Sequence, residues 1–173
     1  TSWFTAFGAA DYTAFKNELE RDLKAQVPPS GGDIPGLARA VAGYEGLMAR
    51  FWHLSAFLGC LSAADASNEA VKADEAWAAT LEAECTKLKA SLQGAVASLE
   101  DSAFSALLTD TVLNGASHAV KRMREDGRRQ MAQEMEGLAA DLSVNGLHAW
   151  GRLYETLTGK LEFPMEFPDG RRE

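Results

Sequence analysis

Apolar side chains recur at three- and four-residue intervals along nearly the whole chain, the spacing of one face of an α-helix. Tyr12, Phe15, Leu19 and Leu23 follow Asp11, a helix-capping residue type, and predict a first helix over about 11–26. The run Val27-Pro28-Pro29-Ser30-Gly31-Gly32 ends it as a loop. A second helix opens on Asp33 as cap, with Pro35 in its first turn, where a missing amide hydrogen costs little. From Leu37 through Val41, Leu47, Phe51 and Leu54 to Leu61 its apolar stripe is wide, so this helix is expected to be central and largely buried, with Trp52 at the stripe's edge. A turn around Asp65 follows. Ser67 or Asn68 then caps a third helix, about 68–99, with Trp77, Leu81, Cys85, Leu88, Leu92, Val96 and Leu99 as its core positions. Glu75, Glu82, Glu84, Lys87 and Lys89 fall on its opposite face. A helix that long spans roughly 48 Å. The short turn makes helices two and three an antiparallel hairpin with Asp65 at its tip, Trp77 and Leu81 lying near Phe57 and Leu54.

The second half is more broken. Asp101 or Ser102 caps a short helix around Phe104, Leu107 and Leu108, and Leu113-Asn114-Gly115 interrupts the chain. Helices are predicted over about 116–126 and 128–142, jointed at Gly127. A last one runs over about 144–160, with Leu147, Trp150, Leu153, Tyr154, Leu157 and Leu161 on one side. Leu161-Glu162-Phe163-Pro164-Met165-Glu166-Phe167 then alternates, and Pro168-Asp169-Gly170 is a turn signature. The expected architecture is all-α: an elongated antiparallel helical bundle with a long helical hairpin over 1–160, then the first strand of a β-hairpin over 161–173. A strand without a partner is unstable alone, so the sequence reads as a piece of a longer protein.

Composition narrows the chemistry. The formal net charge is -8, which disfavours a phosphate backbone as partner. The basic stretch Lys121-Arg122-Met123-Arg124 with Arg128-Arg129 is interrupted by Glu125 and Asp126 and reads as a solvated helix face. Cys60 and Cys85 both fall within helical patterns and are expected as buried free thiols, which suits a reducing cytoplasm. No uninterrupted apolar run reaches about 18 residues, so no membrane span is expected. His53, His118 and His148 begin no H-E-x-x-H pair, and Arg50, Gly115 and Asn145 stand where a Glu-x-x-His metal motif would need glutamate. The residues therefore offer no catalytic, metal-binding or cofactor-binding site. Trp52, Trp77 and Trp150 read as core. Trp3, Phe4 and Phe7 either staple the first helix to the core or form a docking segment.

One stretch carries a family signature. An acidic helix with Glu134 and Glu136 runs to Leu142-Ser143, followed by Gly146, Trp150 and the pair Leu153-Tyr154, then Leu157-Thr158-Gly159-Lys160-Leu161-Glu162-Phe163 and Asp169-Gly170. Tyr44-Glu45 and the Ser62-Ala63-Ala64-Asp65 turn add a weaker echo upstream. In this order and spacing the chain resembles the N-terminal helical lobe of the oligoendopeptidase F family of zinc metallopeptidases. The resemblance implies a parent enzyme that cleaves short unfolded peptides, with zinc held in a C-terminal catalytic region beyond this sequence. The lobe would form one wall of the substrate cleft, its partners being that catalytic domain and the oligopeptide, and no catalytic residue carries over. A free-standing helical interaction module is the alternative reading. A helical metal enzyme is a third, disfavoured by the missing histidine motifs. If the chain is a lobe, apolar surface should be left open, with Trp3, Phe4 and Phe7 at one end and Phe163, Met165 and Phe167 at the other as the expected groups.

Overall fold

The computed structural model describes residues 4–27, 32–161, 164 and 166. The first helix, α1, spans Ala10–Ala25, and its N-cap is Ala9 rather than Asp11. Asp11 sits in the first turn, where its carboxylate accepts hydrogen bonds from the backbone N and the hydroxyl of Thr5 at 2.7 and 2.9 Å. This ties the preceding segment down, and Gly8, at φ 75°, supplies the left-handed turn that brings it back. Phe4 is thereby buried, its ring centroid 5.4, 5.2 and 5.0 Å from those of Tyr12, Phe15 and Phe57. Phe4 and the partly buried Phe7 staple α1 to the core, so these two are not the open surface expected above, and Trp3 lies outside the described residues.

Helix α2 spans Ile34–Ala64 with the predicted cap: Asp33 accepts from the Gly36 amide at 2.9 Å, and proline occupies the first turn. Leu37, Val41, Leu47, Phe51, Leu54 and Leu58 are buried, and α2 packs on α1 and the elements that follow. By length and composition α2 is apolar enough to cross a membrane, which a search for uninterrupted runs misses because Arg39, Glu45 and Arg50 break them. Cys60 is exposed on its outer side, contrary to expectation, whereas Cys85 is buried. Trp52 is exposed as well, because the stripe it borders is already filled by Phe51 and Leu54.

Helix α3, Glu69–Ala97, starts at Asn68, whose side chain accepts from the amides of Ala70 and Val71 at 3.1 and 3.2 Å. Asp65 organises the hairpin tip by accepting from the Ser67 backbone and hydroxyl. Leu81, Cys85, Leu88, Leu92 and Val96 are buried as predicted, with Ala78 on the same face, but so are Ala79, Ala83 and Ala90 on another. Trp77 turns toward α1, where the Lys16 ammonium lies 4.4 Å from its ring centroid. The same Lys16 donates to Asp74 at 2.6 Å, and the Tyr12 hydroxyl donates to the other oxygen of that carboxylate, latching α1 to α3.

Helix α4 is Asp101–Leu108, a 3-10 turn follows at Thr111–Leu113, and α5 is Ser117–Gly127. Gly127 is where α5 meets α3: a Cβ there would stand 2.3 Å from the Gln93 carbonyl oxygen and 2.9 Å from the Ala97 Cβ. Arg124 does not lie on a solvated face. Its guanidinium stacks 4.2 Å from the Phe104 ring and donates to the Leu99 carbonyl at 2.7 Å and to Asp101 at 2.9 Å. Helix α6 is Gln133–Ser143 and α7 is Ala149–Thr158. They were expected as separate helices, but a five-residue π-helical turn, Val144–His148, joins them into one rod. Most of the expected strand over 161–167 and its turn lies outside the described residues, as do Phe163, Met165 and Phe167.

Candidate binding surfaces

Helix α6 and the π turn lie along part of the predicted solvated face of α3, leaving Glu75, Glu82 and Lys87 half-buried and Glu84 and Lys89 exposed. Lys87 bridges to Asp141 of α6 at 2.5 Å and to Glu84 at 2.9 Å, and both contacts raise its pKa. Near the π turn, His148 Nε2 lies 3.7 Å from Glu82 Oε2. Farther toward the hairpin tip the rod stands off, leaving a groove of roughly 690 Å³ between α2, α3 and α7. Gly59, Ser62, Lys72, Glu75, Arg152 and Glu155 line it. A smaller cavity, roughly 300 Å³, continues it toward Phe51, Glu82 and His148 and shares Glu75, Arg152 and Glu155. The groove ends where Gly159 meets Ala66, so closely that a Cβ on Gly159 would be 2.9 Å from that methyl.

Charges in this groove are mixed. Burial raises the Glu75 carboxyl above its ordinary value and Glu155 pushes the same way, while Ser62, Arg152 and Lys72 act against them. This arrangement can hold a polar, extended ligand by paired charges. Among the described residues no three His, Cys, Asp or Glu side chains gather so that they could hold a metal ion. His53 packs 5.5 Å from the Phe4 ring and 6.0 Å from Phe15, and His118 is exposed on α5. The three histidines thus lie in three different environments, and the zinc that the family resemblance implies has no seat among the described residues.

A second surface was not legible in the sequence. α7 turns Arg152 and Glu155 toward the groove and its apolar stripe toward solvent. Leu147 is 76% and Trp150 70% exposed, and Leu153, Tyr154 and Leu157 are also open. Met131, Met135, Leu138 and Leu142 continue the open face on and just before α6. Trp150 and its neighbours were expected as core, and the spacing was right about the face but silent about its partner. The α2–α3 hairpin spends its apolar positions on α1, α4 and α5, and it offers α7 a rim of small and charged residues instead.

No curated protein and no solved structure matches the chain. Residues 96–163, from the end of α3 through α7, match the family model described as Oligopeptidase F, in its N-terminal part, and this stretch is similar to the N-terminal helical region of that family.

Proposed function

We propose that the chain is the non-catalytic N-terminal lobe of a zinc-dependent oligoendopeptidase and forms one wall of the cleft that admits short unfolded peptides. The observation that carries this reading is the family match over 96–163, which includes α7, one of the three helices that wall the groove. A groove walled by helices and lined with both signs of charge suits an extended peptide, whose termini carry both signs. Cleavage then belongs to a C-terminal catalytic region of the same cytoplasmic polypeptide, which supplies the zinc. A catalytic zinc takes about three protein ligands and a water, and the described residues assemble no such set.

The test compares residues 1–173 with the product of the whole reading frame, measuring zinc content and cleavage of quenched peptides. The reading expects an H-E-x-x-H helix downstream, chelator-sensitive cleavage by the whole product, and neither zinc nor turnover in residues 1–173. A reading frame that ends at Glu173, or stoichiometric zinc with turnover in this chain alone, overturns it.

A further inference from the structure

The open face of α6–α7 has an internal symmetry. From Leu142 to Leu147 is a step of five residues, which in a regular α-helix would rotate the stripe by about 140°. The π turn Val144–His148 absorbs one residue, and the stripe stays on the outer side throughout. The midpoint of that turn is Gly146. Equidistant from it lie Leu142 and Trp150, Leu138 and Tyr154, Met135 and Leu157, and Met131 and Leu161, all of them open. Folded about a two-fold axis at Gly146, these four pairs therefore meet, large apolar side chain against large apolar side chain, while Leu147 and Leu153 fall opposite Asn145 and Ala139. The π turn maps onto itself, and Gly146 leaves room where the rods approach. The charges agree: Glu134 falls opposite Thr158, Asp141 opposite Gly151, Glu155 opposite Gly137 and Lys160 opposite Ala132, so no like charges meet.

We infer that two copies of this chain associate through α6–α7 as an antiparallel pair with its two-fold axis at Gly146. An isologous interface requires a patch that complements itself under rotation, and this one does. The open stripe runs the length of the rod, a larger contiguous apolar face than monomers commonly leave exposed. A membrane surface suits it less well, since Glu134, Glu136, Asp141 and Glu155 outnumber the basic residues of the rod. The inference does not rest on the peptidase reading, because the symmetry belongs to this rod alone.

Sedimentation equilibrium of residues 1–173 should give twice the 18.6 kDa chain mass. Trp150→Glu and Leu142→Glu should weaken association roughly 30-fold or more, as expected for a central anchor, with helical circular dichroism unchanged. In a Cys60→Ser background, Gly146→Cys should form an intermolecular disulfide. Ala132→Cys, whose two copies lie at opposite ends of an antiparallel pair, should not. A chain that stays monomeric at high micromolar concentration overturns the inference, as does a dimer indifferent to both glutamate variants or cross-linked through Ala132→Cys. So does a monomeric whole-frame product whose 131–161 amides are protected from exchange, since the face would then be covered by its own polypeptide. Monomeric binding to phosphatidylserine vesicles through this face would overturn it too.

Discussion

Gly127→Ala isolates the contact that seats α5 on α3. The added methyl would lie 2.3 Å from the Gln93 carbonyl oxygen, 2.7 Å from its carbon and 2.9 Å from the Ala97 Cβ. The first two are backbone atoms inside α3, so a side-chain rotation cannot relieve them. Either α5 lifts away or α3 bends. Lifting α5 would loosen Val120, fully buried on that helix, and the bond from Gln130 to Gln93 at 2.6 Å. Overpacking of this kind costs about 1–3 kcal/mol. Alanine's helical advantage over glycine returns at most about 1 kcal/mol, and less at a helix end. The net expectation is a destabilised chain, with the thermal midpoint lowered by several degrees at roughly 2–4 °C per kcal/mol. Gly137→Ala in α6 is the matched control: nothing lies within 4 Å of a Cβ there, so the propensity gain should appear uncompensated. Urea and thermal unfolding followed by circular dichroism read both variants. A Gly127→Ala chain as stable as Gly137→Ala would refute the close approach of α5 to α3.

Three further outcomes are expected. Leu88→Ala, mid-helix on α3 and buried, should cost about 2–5 kcal/mol in urea unfolding, and a change within about 0.5 kcal/mol would mean that the stripe faces solvent. Burial pushes the Cys85 thiol up to about 11, with Glu82 and Glu84 adding to it, whereas Cys60 is exposed. Ellman's reagent should therefore titrate one cysteine in the folded chain and the second only after unfolding, and two fast equivalents would contradict that burial. Glu75 holds its proton to higher pH folded than unfolded, so its contribution to stability falls as pH rises from the unfolded value through the folded one. Glu75→Gln should thus be as stable as the parent below the ordinary carboxylate range and more stable at neutral pH, and a neutral-pH loss would show that the carboxylate is stabilised by Arg152 and Lys72 instead.

The sequence by itself determined the elements whose signals are local. Asp33 and Pro35 start α2, Asn68 starts α3, the apolar stripes run down both, and the turn at Asp65 makes them antiparallel, since caps and short turns act between residues near in the chain. It also located the family signature, because that lies in the order of residues along α6 and α7. The tertiary structure decided what each face meets. Glu75, Glu82 and Lys87 have the pattern of a solvated face, yet Lys87 bridges to Asp141 of α6, Glu82 lies beside His148 and Glu75 lines the groove. Arg124 belongs to a basic run, yet Phe104 and the end of α3 hold it. Trp150 has the spacing of a core residue and faces solvent. Amphipathic spacing records that a face is apolar; which partner covers it depends on where distant segments pack, and along this rod the α2–α3 hairpin had already filled its apolar positions with α1, α4 and α5.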